Sequence, residues 1–508
     1  MGYFSHLTRR AFLTRSALAL PAVAALPRLA SAATPATPAT SVADAPPPAR
    51  TTHPRKVIVV GAGLAGLSAA YELTSWGHDV TVLEAQTRAG GRVLTLRSPF
   101  SDGLFVDAGA MDFTEAYRQM MRYVKLFNLA TTSPPRLPLS TILHLRGKRL
   151  VIKPGVKSDL PFNLSAEEQK MGIGGMVQKY LNSPAKELGD PTDPAWDLQR
   201  FKKFDQATLA DYLKGLGASD EAVELLSSIV GVGYGWRTVS ALHRMASDFA
   251  LFNLGSGAQL FLDGGTDRLT DAFAKSLRER IYYGTPVTRI VQEGTKVRAV
   301  FKQRGEEQTL EADHLICTAP CPVLRRVEFT PALPARKRQI FEQLEYTPVS
   351  RIFVQARRRF WVDAGENGNS ITDLPIKLVS EQPIDRPADQ GPRSVLESHI
   401  RGVEAIPVSA MDEDKQIAFA IENFEKLHPG FGGYAEGGAT KSWHTDPWAG
   451  GGYAWWKPGQ MTDWIPELAK AEGRVHFAGE HTSALGRTME GALISGNRAA
   501  HEVHEAAS

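Results

Sequence analysis

The chain has only two cysteines, Cys317 and Cys321, among 508 residues. They are too few for a disulfide framework and their spacing suits no metal site, so both read as small buried apolar residues. An excess of charge is also lacking, with a formal net charge of +3. Residues 1–32 hold Arg9, Arg10, Arg15 and Arg28 and no acid, which leaves the remainder close to neutral. Nothing in that balance calls for nucleic acid or an anionic membrane as partner. Long hydrophobic runs are missing near the start. Ala17–Leu26 is broken by Pro21 and is too short to span a bilayer. No internal repeat is visible.

What is present at the N-terminus has a consistent order. Arg9 and Arg10 precede Phe12 and Leu13, then the short apolar run, then Ala30-Ser31-Ala32. This pattern predicts a twin-arginine signal peptide over 1–32, cleaved near Ala32, with the Tat export machinery as partner and a periplasmic or secreted destination. That route carries folded proteins, so it implies cargo loaded before export. Residues 33–54 are rich in Ala, Pro and Thr and read as a linker.

Structure is expected from Arg55. Lys56–Val60 is a β-branched run that reads as a buried strand. Gly61, Gly63 and Gly66 follow in a GxGxxG pattern, then a helical stretch, a stop at Gly77 and a second strand ending at Glu84. A strand before and a helix after make this a dinucleotide fingerprint. Gly61 allows the tight turn, Gly63 the approach of a pyrophosphate, and Gly66 close packing of helix on strand. The helix N-terminus, at Leu64 and Ala65, offers free N–H groups to phosphate. Glu84, followed by Ala85, would accept hydrogen bonds from a ribose. The motif itself leaves NAD and FAD open.

Gly90, Gly91 and Arg92 come just beyond the second strand, where a glycine pair permits close passage and an arginine neutralises pyrophosphate. This GGR element resembles the flavin amine oxidase family, which comprises monoamine, polyamine and L-amino-acid oxidases. The resemblance recurs at Phe105–Met111, Phe261–Ala274, "GTPVTRI" with Val287, Glu328–Pro334, Thr372–Pro375, Trp443–Gln460 and Gly473–Val503. It implies an α/β fold with a discontinuous Rossmann-type FAD-binding domain at 55–112, 262–345 and 440–508. A mixed α+β substrate-binding domain at 113–261 and 346–439 would complete it. Helices are expected in "AYRQMMRYVKLFNL", in "SALHRMASDFALFNL" and over Met489–Glu505, and strands in "SRIFVQAR" and "SVLESHI". "HEVHE" (His501–Glu505) reads as a solvated helix face rather than a metal site.

The resemblance also assigns residues. FAD contacts fall on Gly61, Gly63, Leu64, Ala65, Gly66, Glu84, Ala85, Gly91, Arg92, Gly109, Ala110, Met111, Val287, Gly479, Glu480, Thr488, Met489, Glu490 and Ala492. Gly452 stands where monoamine oxidases carry the flavin-linking cysteine, so the FAD is expected to be non-covalent. "GGYAWWKPG" is read with Tyr453 and Trp455 on one strand face, as substrate cage, and Trp456 on the other. The usual active-site lysine falls on Arg351, which with Tyr453 is the catalytic candidate. Arginine stays charged and cannot serve as a base. The family's carboxylate-clamping arginine falls on Asp112, its tyrosine partner on Ser398, and the second cage aromatic on Thr488, beside Arg487. Asp112 would attract a second ammonium, or would cap the helix that follows, with Glu115 closing the box. Arg487 or Arg351 would offer a carboxylate site.

The implied chemistry is oxidation of a C–N bond in an amine or amino acid to the imine, then to a carbonyl and ammonia or amine, with O2 reduced to H2O2. A periplasmic amine dehydrogenase using another electron acceptor, and a non-catalytic flavin-binding protein, are the alternatives. A homodimer is compatible with this reading.

Overall fold

A computed structural model describes residues 49–133, 138–156, 158–230, 235–251, 254, 258–382 and 392–506. The segment expected to be an export signal, 1–32, and the expected linker as far as residue 48 lie outside the described residues. Among those described, no helix is long and apolar enough to cross a membrane.

A five-stranded parallel sheet collects strands from remote parts of the chain. Its order is Ile281–Tyr283, Asp79–Glu84, Lys56–Val60, His314–Cys317 and Val475–Phe477. The Lys56–Val60 strand is central, and Val57 to Val60 are buried. Helices Leu64–Ser75 and Met489–Glu505 pack on one another beside this sheet. A Cβ at Gly496 would lie 2.2 Å from the Ala65 carbonyl oxygen, so the close helix contact requires glycine there. Val57, Val59, Leu67, Leu73, Ile316 and Leu493 share that side's core.

A second sheet of seven strands mixes earlier and later segments: Ala435–Ser442, Val349–Ala356, Ser394–Arg401, Leu378–Gln382, Glu366–Thr372, Ser140–Leu145 and Lys148–Ile152. A four-stranded sheet is formed by Glu306–Ala312, Lys296–Gln303, Val287–Glu293 and Glu328–Thr330. The α/β class and the Rossmann-type sheet agree with the sequence reading.

Several local expectations need adjustment. The segment after Asp112 is a strand, Asp112–Thr114, paired with Gln259–Leu262, and the helix begins only at Arg118. Asp112 is therefore no helix cap. The Ala241–Arg244 helix continues as a π-helical turn over Met245–Ala250, and residues 252–253 of that predicted helix lie outside the described residues. The Tyr453–Trp456 segment forms no strand, its one bridge joining Ala454 to Tyr346. "HEVHE" is not simply solvated. His501 and His504 pack on Trp76, His504 Nδ1 lies 3.0 Å from His78 Nε2, and Glu502 accepts from His476 at 2.9 Å. No cluster of potential metal ligands occurs among the described residues.

Candidate active site

One continuous cavity runs from Glu84, Thr285 and Val287, past Gly61, Gly63 and Gly91, to Met111, Arg351, Tyr453 and Arg487. At its first end the glycines have three different jobs. Gly61 has φ +103°, a conformation that side chains resist, and an added Cβ would lie 2.6 Å from Thr318 Oγ1. At Gly66 the Cβ would lie 2.0 Å from the Gly61 carbonyl oxygen, so Gly66 faces packing and not the cavity. Gly63 differs from both. Its added Cβ would meet nothing within 4 Å, and it stands in the cavity wall.

The Leu64–Ser75 helix starts at Gly63 with no side-chain cap. Its first N–H groups are left for an anion from the cavity, which suits a pyrophosphate. Glu84 is buried and held by two backbone donors, Ala62 N at 2.6 Å and Gln86 N at 2.8 Å. Burial raises its carboxyl above the usual range, and these donors oppose the rise. The remaining lone pairs of Glu84 suit a ribose diol. An open glycine wall, an uncapped helix start and a fixed acid together fit a dinucleotide.

The middle of the cavity is floored by Gly109–Met111. Three carbonyls here have assigned donors. Trp443 Nε1 donates to Ala108 O at 2.8 Å, Arg351 Nη1 to Gly109 O at 2.5 Å, and Thr266 Oγ1 to Met111 O at 3.0 Å. Arg351 also donates through Nε to Glu397 at 2.6 Å, and both side chains are buried. Glu397 in turn accepts from Ser380 Oγ and Gln382 Nε2. Arg351 is thus a strut between the seven-stranded sheet and the cavity floor. With Nε and Nη1 bound to protein oxygens, its chief visible role is positioning. Glu480 ties the next wall: it accepts from Arg92 Nη1 (2.8 Å), Ala454 N (3.2 Å) and Arg487 N (2.8 Å).

The far end is lined by charge and aromatic surface. Strand alternation brings Arg351, His399 and Arg401 to the cavity, while Ser398 turns away and bonds the Ile376 carbonyl at 3.0 Å. Burial first, then Arg401 and Arg351, hold His399 well below the usual histidine range, so it is neutral at pH 7. Asp112 Oδ2 accepts from Gln259 Nε2 at 2.8 Å. Burial raises its carboxyl, and Gln259, Arg401 and Arg351 draw it down. Arg487 has φ +64°, pairs with Asp248, and lies 5.0 Å from the Tyr453 ring centroid. Asp248 is paired as well with the buried Arg244.

Most residues assigned from the sequence meet in this one cavity. Leu64, Ala65, Ala85, Gly91, Arg92, Gly109, Ala110, Met111, Val287, Gly479, Glu480, Thr488, Met489 and Ala492 line it with those named above. Three assigned residues do not. Gly66 packs as described. Glu490 is buried elsewhere, accepting from Gln119 N and Met120 N at the start of the Arg118–Leu126 helix. Trp455 lies in the core with Trp456, because the segment is a loop whose rings do not alternate about a strand. Thr488 caps the Met489–Glu505 helix through Gly491 N at 2.9 Å. Sequence reasoning missed Arg244, Asp248, Glu397, His399 and Arg401. The alternation Glu397, His399, Arg401 was the available signal for one face of that strand. Arg244 and Asp248, four apart in an apolar helical run, were the signal for the other group.

Comparison with known proteins matches residues 64–504 to the family described as flavin containing amine oxidoreductase. The chain is 31% identical over 464 residues to YobN of Bacillus subtilis strain 168, whose name marks it provisionally as an L-amino-acid oxidase. The alignment covers 89% of this chain and 95% of that protein. It is 30% identical to the L-amino-acid oxidase of Mus musculus, over 90% of this chain and 71% of that one. The solved structure of cyclohexylamine oxidase from Brevibacterium oxydans IH-35A superposes with a TM-score of 0.72 at 21% identity, covering 89% and 99% of the two chains, which shows the shared fold. Flavin is the family's cofactor, and the dinucleotide cradle from Gly61 to Glu84 requires it in the form of FAD. The chain belongs to the flavin-containing amine oxidoreductases.

Proposed function

We propose that this protein is an exported FAD-dependent oxidase of L-α-amino acids. The observation that carries the reading is the single cavity, with a dinucleotide cradle at one end and Tyr453, Arg487 and the arginines of the seven-stranded sheet at the other. Arg92, Arg351, Arg401 and Arg487 line it against Glu84, Asp112 and Glu480, an excess of positive charge that suits a substrate bearing a carboxylate. The L-amino-acid oxidase names of two relatives support the same class.

Bound FAD would supply the acceptor for the two electrons and the hydrogen of the C–H bond beside the substrate nitrogen. The chain's own residues do the rest. Arg351 and Trp443 fix the floor carbonyls, Glu480 holds the Tyr453 loop and Arg487 in register, and the buried walls exclude water. The overall reaction would be amino acid plus O2 giving imino acid plus H2O2, with water then converting imino acid to keto acid and ammonia. FAD would be held without a covalent bond, because Gly452 stands where monoamine oxidases carry the flavin-linking cysteine, and a side chain there would crowd Val349, 2.6 Å from an added Cβ. Arg9 and Arg10 would direct export by the twin-arginine route, with cleavage near Ala32, to the periplasm or medium.

The test is anaerobic mixing of the yellow protein with L-amino acids and amines, followed by air and a peroxide assay. Bleaching by an amino acid and recovery with peroxide are expected. Bleaching that persists in air and recovers only when another electron acceptor is added would move the reading to a dehydrogenase. No bleaching with any compound would contradict catalysis. For export, replacing both arginines, Arg9→Lys with Arg10→Lys, should leave uncleaved, FAD-loaded precursor in the cell.

A further inference from the structure

We propose that the substrate carboxylate is held at Arg487, in a subsite built by Arg487, Asp248 and Arg244. Resting on the amino-acid reading above, this moves the carboxylate contact away from Asp112 and Ser398, the positions where the resemblance would put it. Three observations carry it.

The first is charge count. Arg351 is answered by Glu397 at 2.6 Å. Asp112 is attracted by Arg401 and Arg351 and bonded by Gln259. Arg487 and Arg244 share one acid, Asp248. That cluster holds two cations for one anion in a buried place, where uncompensated charge is expensive. A bound carboxylate would complete it.

The second is unused hydrogen-bonding capacity. The Nε atoms of Arg487 and Arg244 are buried and find no hydrogen-bond partner among the described residues. The third is access. Arg487 lines the cavity and Arg244 stands behind, its side chain 3% exposed. Tyr453 faces Arg487 and closes the site with an aromatic wall. In support, burial above all lowers both arginines, Arg244 to about 9 with Arg401 repelling it, and Arg487 well below its usual value with Arg244 repelling it. Charge of opposite sign from a ligand would relieve this.

Asp112 is the competing candidate for reading substrate charge. It is bonded by Gln259 and drawn to Arg401 and Arg351 of the seven-stranded sheet, while burial disfavours its charged form, so it neither demands a second ammonium nor strongly repels a carboxylate.

The test uses FAD-loaded wild type, Arg487→Gln, Arg244→Gln and Asp248→Asn. Each is mixed anaerobically with L-phenylalanine, L-leucine or L-lysine, and with the amine left when each loses its carboxylate. In Arg487→Gln the preference for amino acid over matched amine, as kcat/KM, should fall roughly 100-fold, mainly through KM. In Arg244→Gln it should fall less. In Asp248→Asn it should rise, because the competing anion is gone. An unchanged preference in Arg487→Gln would overturn the subsite, as would a wild type that oxidises amines and not amino acids. A second arm needs no turnover. Benzoate should perturb the visible flavin spectrum of wild type, with roughly 100-fold weaker binding to Arg487→Gln. A wild type that no compound reduces refutes the proposed activity, and the benzoate arm still decides the subsite. Equal benzoate affinity in wild type and variant would overturn it.

Discussion

The two ends of the cavity are built in opposite ways. The pyrophosphate cradle at the FAD end is local: Lys56 to Glu84 is one strand, turn, helix and strand, and apart from the Glu84 carboxylate its wall is set by backbone geometry. The substrate end is assembled from Asp112, Arg244, Asp248, His399, Arg401, Tyr453 and Arg487, which meet only after two sheets and several helices have packed. Backbone-built sites tolerate little change in shape and are indifferent to side-chain charge. Side-chain-built sites show the reverse. This contrast orders the expected effects of mutation.

The largest effect belongs to Gly66. A Cβ there would lie 2.0 Å from the backbone oxygen of Gly61, with no flexible atom to give way. Gly66→Val should fail to fold, seen as insoluble protein or loss of a cooperative thermal transition. Gly63→Val should behave differently. Gly63 has φ −77°, which valine accepts, and open space beyond it. That variant should fold and be colourless, its side chain occupying the pyrophosphate path. A folded, yellow Gly63→Val would break the assignment of the cradle.

Next comes the strut. Glu397→Ala leaves Arg351 buried without its anion, and breaking such a pair costs about 3–5 kcal/mol. Thermal unfolding should record it as a large fall in Tm. If Arg351 acts only by positioning, Arg351→Lys should weaken FAD retention and activity together and leave the pH profile of flavin reduction unmoved.

Glu490 gives a smaller, pH-dependent effect. Burial outweighs its two backbone donors and raises its carboxyl to about 7. The unfolded chain's carboxyl ionises near about 4.3. A folded-state value above the unfolded one means that the folded protein holds the proton longer. The stability it contributes is complete below about pH 4 and is lost as pH climbs toward about 7, a change on the order of 3 kcal/mol. Glu490→Gln has no proton to lose. Its Tm relative to wild type should therefore improve between pH 4.5 and pH 8, and a constant difference would contradict the shift.

The contrast also explains what could be read from the chain alone. The glycine fingerprint, the strand to Glu84 and the helix Met489–Glu505 were legible because their logic is contained in a few consecutive residues. The GGR and Gly109–Met111 segments were legible through resemblance. The charge partners were not, because nothing in sequence links Arg351 to Glu397 or Arg487 to Asp248. Strand phase decided the rest: a single-residue step separates Ser398, bonded on the far face, from His399 in the cavity. Tyr453 and Trp455 were paired by an alternation that fails because their segment is a loop. Glu490 was taken for a flavin contact although it serves the helix at Arg118, a contact across the fold.

The smallest effect is expected at Asp112. With Gln259, Arg401 and Arg351 around it, Asp112→Asn should change the preference between matched amines and amino acids less than about fivefold, well short of Arg487→Gln. Steady-state kcat/KM for both substrates of each pair measures it. A larger change at Asp112 than at Arg487 would reverse the assignment of the substrate end.

The central claim is that one cavity joins FAD to an end that prefers a carboxylate-bearing amine. Its most direct measurement is the anaerobic rate of flavin bleaching in the wild-type protein by L-amino acids and by their matched amines. Bleaching at least tenfold faster by an amino acid than by its amine is the predicted result. Faster bleaching by the amine in every pair, or none by either, would contradict it.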